Sequence, residues 1–119
     1  MVSVLVFGSH SDPQAWEMTE ELKARLPGLS FLNTSNPHDL LEARGEVRIL
    51  DVVAGLDRPR VISINQLSKR RLYTAHDFDL GYFLQLLKGS GMIDDLRIIG
   101  IPEKWDETMV NDVADLLRS

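Results

Sequence analysis

Short apolar runs rich in β-branched residues alternate along this chain with longer stretches in which apolar residues recur at helical spacing. The short runs predict five buried strands, at residues 2–7, 29–32, 47–53, 60–64 and 96–101. The longer stretches predict four helices. The first begins at Pro13 and stops at Pro27-Gly28, and a brief second helix covers residues 38–43. The third lies around residues 80–87, and a closing amphipathic helix covers residues 108–117. Strands and helices therefore alternate, as in α/β proteins.

The connection between the third and fourth strands breaks this alternation. It contains only residues 54–59, whereas a parallel crossover needs about a dozen residues or more. The fourth strand is therefore predicted to run antiparallel to the third. Continuous apolar strands also need helices on both faces. The sequence predicts an α/β fold, a three-layer α/β/α sandwich around a five-stranded mixed sheet that is mostly parallel with one antiparallel strand.

Size and composition limit the functions open to the chain. Its 119 residues suit one domain, spanning residues 1–119, and 44% hydrophobic residues suffice for one core. The net charge of −5 argues against binding to nucleic acid, and the basic cluster Lys69-Arg70-Arg71 is interpreted as a solvated loop. The absence of cysteine excludes disulfides, thiolate metal sites and Cys nucleophiles. Without a signal segment or an apolar run of ~18 residues, we expect a soluble, cytoplasmic monomer that is not bound to a membrane.

Candidate chemistry gathers at one edge of the predicted sheet. In open α/β sheets, ligands bind beyond the carboxyl ends of the parallel strands. His10 and Asp12 follow the first strand, Asp51 interrupts the end of the third, and His76 and Asp77 precede the third helix. Two carboxylates and an imidazole from separate loops suit a divalent transition metal such as zinc or nickel. Three protein ligands that leave coordination positions open are typical of a catalytic site.

Each of these residues also has a structural explanation. Asp12 precedes a predicted helix and would serve as its N-cap. A lone histidine such as His76 is more often a surface or capping residue than a ligand. Asp51 is harder to explain in this way, because an ionised carboxylate inside an apolar strand is costly unless it is paired or coordinated. The trio Asp12, Asp51 and His76 is therefore interpreted as one metal site, with Asp12 as its weakest member.

Several segments of the chain resemble the hydrogenase maturation endopeptidases, which trim the C-terminus of the large subunit of nickel–iron hydrogenases. Residues 4–8 resemble the opening strand of that family, and residues 48–53 resemble its third strand, with the ligand Asp at Asp51. Residues 75–81, Ala-His-Asp-Phe-Asp-Leu-Gly, match the segment with the ligand His at His76, and residues 97–102 resemble a late Gly-Ile-x-Pro stretch. Counting back from Glu20-Glu21-Leu22 places Asp12 on the remaining ligand position.

Two segments depart from the pattern of the family. The first loop of the family usually carries a Gly-Asn pair and then Gly-Asp-Asp-Gly, whereas this chain has the shorter Gly8-Ser-His-Ser-Asp12-Pro13 with a single acid. After the second strand the family usually has an Asp followed by glycines, and this chain has Asn33-Thr34-Ser35. His10 is a candidate replacement for a polar group of the longer loop.

The resemblance implies a metal-dependent endopeptidase that removes the C-terminal extension of a nickel-loaded hydrogenase large-subunit precursor, its expected partner. Asp12, Asp51 and His76 would be both the catalytic residues and the metal ligands, with nickel carried by the substrate and zinc or another divalent metal as alternatives. Two other functions remain open. One is an inactive relative that serves as a binding module for a hydrogenase subunit. The less favoured one is a receiver-like signalling domain, which also has an Asp at the end of its third strand.

Overall fold

The computed structural model describes residues 2–36, 39, 42, 45–62 and 93–118. The strands of this part are β1 (Ser3–Phe7), β2 (Ser30–Thr34), β3 (Gly45–Val52), β4 (Arg60–Ile62) and β5 (Ile93–Ile101), and its long helices are α1 (Gln14–Arg25) and α2 (Glu107–Arg118). The predicted helices at residues 38–43 and 80–87 lie outside the described residues, apart from Asp39 and Glu42. Within the described part, no helix is long and apolar enough to span a membrane.

The strands form one sheet in the order β2-β1-β3-β5-β4. β1 pairs in parallel with both β2 and β3, and β3 pairs in parallel with β5, whereas β4 is antiparallel to β5. The predicted direction of the fourth strand is therefore confirmed. Its neighbour is β5, which lies between β3 and β4. Residues 54–59 bridge this gap because two strand spacings amount to only about 10 Å.

One face of the sheet packs against α1 and α2. Side chains alternate between the two faces of a strand, and on this face they form a core with the apolar stripes of both helices. The core residues are Val4, Val6, Ala15, Met18, Leu22, Leu26, Leu50, Val52, Ile99, Ile101, Val110, Val113, Ala114 and Leu117. Trp105 packs against this core, and its Nε1 donates a 2.9 Å hydrogen bond to the carbonyl oxygen of Gln14. Arg25 joins the two helices by donating to Asn111 at 3.1 Å and to Glu107 at 3.4 Å.

The opposite face of the sheet is buried as well. Leu5 and Phe7 of β1, Val47 and Ile49 of β3, and Ile98 of β5 are each exposed by 4% or less. Strands that are apolar on both faces need a layer on each side. The predicted α/β class, with a mixed and mostly parallel five-stranded sheet, is confirmed. The second helical layer of the predicted sandwich falls outside the described residues.

Candidate acidic site at the carboxyl edge of the sheet

β1 and β3 end side by side at the carboxyl edge of the sheet. Val6 lies opposite Leu50 in the parallel pairing, so Phe7 and Asp51, the next residue of each strand, are neighbours on the face away from α1 and α2. The loop that leaves β1 reaches Asp12 before α1 begins. Asp12 and Asp51 thus come to the same edge from separate elements.

A tight turn holds Asp12 in place. The backbone N–H of Ser9 donates to the carbonyl oxygen of Asp12 at 3.1 Å, and the N–H of Asp12 donates to the carbonyl oxygen of Ser9 at 3.1 Å. These reciprocal hydrogen bonds close a two-residue hairpin with His10 and Ser11 at its apex. The hydroxyl oxygens of Ser9 and Ser11 are also 3.1 Å apart. The shortened loop is therefore a compact turn that fixes the backbone of Asp12.

Asp12 does not cap the helix that follows it. α1 begins at Gln14 with Pro13 in the N-cap position, and within the described residues no side chain donates or accepts a capping hydrogen bond there. The carbonyl oxygen of Pro13 accepts the first helical hydrogen bond, from the backbone N–H of Glu17 at 2.9 Å. The predictions that the helix starts at Pro13 and that Asp12 is its N-cap are therefore wrong. Helix capping does not account for the half-buried side chain of Asp12.

Asp51 lies among apolar side chains. It is 1% exposed, and Gly100 lies opposite it on β5. A Cβ atom at Gly100 would be 2.5 Å from Ile62 Cδ1, 2.8 Å from Leu56 Cδ1 and 3.0 Å from Val53 Cγ2. Because Gly100 has no side chain, these three groups close over the position next to Asp51. The flank of Asp51 towards β5 is therefore apolar.

The pKa of Asp51 lies well above its ordinary value. Burial is the largest cause, because desolvation disfavours the carboxylate; a hydrogen bond from the backbone of Val52 lowers the pKa, and the negative charge of Asp12 raises it. The two acids lie at the same edge of the sheet, and the charge of Asp12 acts on the carboxyl group of Asp51. The structure thus brings together two of the three predicted ligands, and acids perturbed in this way are frequent at functional sites.

The third predicted ligand, His76, lies outside the described residues, as does Asp77. The place of His76 in the site stays a prediction. Within the described ranges, no group of three His, Cys, Asp or Glu side chains is arranged to hold a metal ion. His10, which shares the turn with Asp12, therefore does not complete a metal site with the two acids.

Trp16, in the first turn of α1, forms part of this edge. Its Nε1 donates a 3.0 Å hydrogen bond to the carbonyl oxygen of Val6. The indole lies against Gly8, where a Cβ atom would be 2.8 Å from Nε1. The ring of His10 meets it edge-on, with centroids 5.9 Å apart and an interplanar angle of 89°. The available signal was Gly8, since a glycine at the end of a buried strand often marks the close approach of another group.

Asn33, one of the departures from the family pattern, points away from the acid pair. It lies opposite Val6 in the pairing of β1 with β2 and therefore faces the layer of α1 and α2. Its Oδ1 accepts a 2.9 Å hydrogen bond from the hydroxyl group of Thr19 in α1. The next residue, Thr34, faces the side of Asp51 and is hydrogen-bonded to the carboxylate of Asp39. Asn33 thus connects β2 to α1.

Comparison with known proteins shows the fold. No family model matches this chain, and no curated protein matches it. A solved structure, the crystal structure of the hydrogenase 3 maturation protease, superposes on it with a TM-score of 0.65 and 19% sequence identity. The match covers 98% of this chain and 86% of that chain. The fold that the family resemblance implied is therefore confirmed.

Proposed function

We propose that this chain is a metal-dependent endopeptidase that removes the C-terminal extension of a nickel–iron hydrogenase large-subunit precursor. The observation that carries this proposal is the acid pair. At the carboxyl edge of the sheet, the negative charge of Asp12 raises the pKa of Asp51. Asp51 is buried there, although burial disfavours its ionised form. The pair occurs in a fold that a hydrogenase maturation protease also has. The precursor is accordingly the proposed partner.

The proposed metal ligands are Asp12, Asp51 and His76. A buried carboxylate beside a second acid suits a cation, because the positive charge offsets both the desolvation of Asp51 and its repulsion from Asp12. Carboxylate and imidazole donors fit nickel, which the precursor would bring with it, and also zinc or another divalent metal. When bound, such a metal supplies Lewis acidity to the peptide carbonyl or to a water molecule.

The residues of the chain have distinct tasks in this reaction. Asp51 binds as the carboxylate, so its raised pKa makes metal binding compete with protonation of this group. The apolar groups of Val53, Leu56 and Ile62 exclude water next to it. The turn at residues 9–12 holds the backbone of Asp12 at the carboxyl edge of the sheet. The chain has no cysteine, so the reaction does not use a thiol nucleophile.

The test is to incubate the protein with a nickel-loaded large-subunit precursor and to measure intact masses. We expect the precursor to lose the mass of its extension, and we expect Asp51→Ala and His76→Ala to slow this processing by about 100-fold or more. Asp57→Asn is the matched control, because Asp57 is an exposed acid on the loop after β3, 3.5 Å from Arg60. Normal processing by both the Asp51 and the His76 variant would refute the proposal.

One observation favours a second function, a module that docks on a hydrogenase subunit without cutting it. The turn after β1 carries a single acid, Asp12, where the hydrogenase maturation endopeptidases usually have two. In the same experiment this function predicts a stable complex and no change in the mass of the precursor. A receiver-like function is not retained, because receivers have the strand order 2-1-3-4-5, whereas here β5 adjoins β3 and the antiparallel β4 lies at the edge.

A further inference from the structure

His10 stands at the apex of the turn that carries Asp12, and its side chain is exposed. The hydrogen bonds between Ser9 and Asp12, both 3.1 Å, fix the backbone on either side of it. The imidazole ring lies edge-on to Trp16, with centroids 5.9 Å apart. An exposed imidazole is thus held on a short, hydrogen-bonded turn beside the acid pair.

Trp16 is a rigid support for this ring. Its Nε1 donates a 3.0 Å hydrogen bond to the carbonyl oxygen of Val6 in β1. Its indole packs against Gly8 so closely that a Cβ atom there would be 2.8 Å from Nε1, and it also packs against the core. A side chain that is already oriented loses less entropy when a ligand binds to it. His10 is therefore prepared for contact with a ligand.

The short distance along the chain from His10 to Asp12 determines which part of a substrate His10 meets. Their Cα atoms are separated by two virtual bonds of about 3.8 Å, and therefore by about 7.6 Å at most. An extended peptide advances by about 3.3 Å per residue. An extended peptide that runs from Asp12 along the turn would therefore meet His10 with a residue within about three positions of its reacting carbonyl.

The chemistry of His10 suits contact with a peptide better than coordination of a metal. Within the described ranges it forms no metal-binding group with Asp12 and Asp51. A neutral imidazole offers one hydrogen-bond donor and one acceptor. This pair of functions matches the N–H and C=O groups that an extended polypeptide presents along its edge.

We propose that His10 is a specificity-determining residue that hydrogen-bonds to the substrate polypeptide beside the scissile bond. The inference rests on the proposed peptidase function and goes beyond it, because it assigns substrate binding to a residue outside the metal trio. His10 acts in binding and takes no part in the chemical step. Its removal therefore raises KM and leaves kcat unchanged.

The test compares three variants in cleavage of the nickel-loaded large-subunit precursor. The loss of one hydrogen bond corresponds to about a 2- to 12-fold change, and we expect His10→Ala to raise KM within this range at constant kcat. His10→Gln keeps a donor and an acceptor and should restore KM. Lys23→Ala, which also removes an exposed polar side chain but lies in the last turn of α1, is the control and should behave as the unmodified protein. An unchanged KM in His10→Ala, or a fall in kcat alone, overturns the inference.

A binding measurement distinguishes failure of this inference from failure of the proposed function. Calorimetric titration with the nickel-free precursor requires no cleavage. If the unmodified protein binds this precursor but does not cut the nickel-loaded one, the peptidase proposal fails, and a higher Kd of His10→Ala still supports the contact. If the unmodified protein cuts the precursor and His10→Ala keeps the same KM and Kd, only the inference about His10 fails. If the protein neither binds nor cuts, both fail.

Discussion

β3 contains two buried ionisable side chains whose surroundings differ. Arg48 lies towards the amino edge of the sheet, and Asp51 lies at the carboxyl edge. Arg48 is 5% exposed and Asp51 is 1% exposed. Because side chains alternate along a strand, Arg48 faces the layer of α1 and α2 whereas Asp51 faces the other side. The two positions have the same backbone environment, a central strand with a parallel neighbour on each side, so their differences come from the groups around them.

At the amino edge, the positive charges lie against backbone carbonyl groups. Arg48 donates through Nη1 to the carbonyl oxygen of Val47 at 3.3 Å. Its neighbour across the strands, Arg97, donates to the carbonyl oxygen of Leu116 in the last turn of α2 at 3.2 Å. The last carbonyl groups of a helix lack helical partners and carry partial negative charge. Arg97 therefore connects β5 to the last turn of α2, and Arg48 is hydrogen-bonded within β3.

At the carboxyl edge, the surroundings act against the charge of the buried group. Burial raises the pKa of Asp51, and the second acid, Asp12, raises it as well. An arrangement that lowers stability in this way is common where a protein binds a ligand or catalyses a reaction. We infer that the amino edge of the sheet is arranged for stability and the carboxyl edge for binding a cation.

The largest effect on stability is expected at the amino edge. Arg48→Ala removes a long buried side chain and its hydrogen bond to Val47, and we expect the free energy of unfolding to fall by about 2–4 kcal/mol. Arg48→Met retains most of the aliphatic stem and should lose less. Urea denaturation measures both values, and processing of the precursor by the folded variants should be unchanged.

The control for this prediction is Arg118→Ala. Arg118 forms an exposed ion pair with Asp115 at 3.1 Å, and its removal should change the free energy of unfolding by less than about 0.5 kcal/mol. A fully folded Arg48→Ala protein that no longer processed the precursor would contradict the division of roles between the two edges.

Gly100→Ala should give the next largest effect and tests the apolar surroundings of Asp51. The added Cβ atom would be 2.5 Å from Ile62 Cδ1 and 2.8 Å from Leu56 Cδ1, and such overpacking costs about 1–3 kcal/mol. Because Gly100 lies opposite Asp51, processing of the precursor should also slow. Thermal unfolding and the mass assay measure the two effects.

Gly28→Ala is the matched control for the substitution of Gly100. A Cβ atom at Gly28 would meet nothing within 4 Å, so we expect a change in unfolding free energy below about 0.5 kcal/mol. Equal behaviour of the two variants would mean that Ile62 and Leu56 move aside freely. In that case the packing around Gly100 would not be what excludes water from Asp51.

Local signals in the sequence predicted the members of the acid pair and the direction of β4. Asp51 is conspicuous as a carboxylate within an apolar strand, and the shortness of residues 54–59 excludes a parallel crossover. Strand order is a different matter. The length of a connection limits the direction of the next strand but does not determine its neighbour, so the position of β5 between β3 and β4 could not be read from residues 54–59.

The errors in the prediction lie where the helical pattern of the sequence does not determine the contacts that a residue makes. A proline before a helix suits either the first helical position or the N-cap, and the reciprocal bonds of Ser9 and Asp12 decide between them by placing Pro13 just outside α1. The contact of Trp16 with Gly8 depends on how α1 packs on β1, which helical periodicity does not report. The contribution of His76 stays a prediction, because it falls outside the residues that the structure describes.

Asp51→Asn should increase stability at neutral pH while abolishing processing of the precursor. Because the folded pKa of Asp51 is raised, the folded protein keeps a proton that the unfolded chain releases above its ordinary pKa of about 4. The stability of the unmodified protein therefore falls as the pH rises through this range. Asn does not titrate, so the advantage of the variant should grow as the pH rises above this value.

Urea denaturation of Asp51→Asn and of the unmodified protein at several pH values between 4 and 8 tests whether the stability advantage of the variant grows with pH. Asp57→Asn is the control, because the carboxylate of Asp57 is exposed and lies 3.5 Å from Arg60, and its effect on stability should be small. An advantage of Asp51→Asn that stayed constant across the range would show that the titration of Asp51 does not oppose folding. The proposed conflict between stability and function at this edge would then be absent.

The smallest expected effect, that of Asp12→Asn, tests whether the two acids form one site. Removing the charge of Asp12 should lower the pKa of Asp51 but leave it above the ordinary value, because burial is the larger cause. NMR titration of the Asp51 carboxyl carbon in both proteins measures this shift, with Asp57→Asn as a charge-matched control. If the pKa of Asp51 were the same in Asp12→Asn, the two acids would be electrostatically independent. A cation would then gain nothing from binding both, and the carboxyl edge would hold one isolated buried acid instead of a paired site.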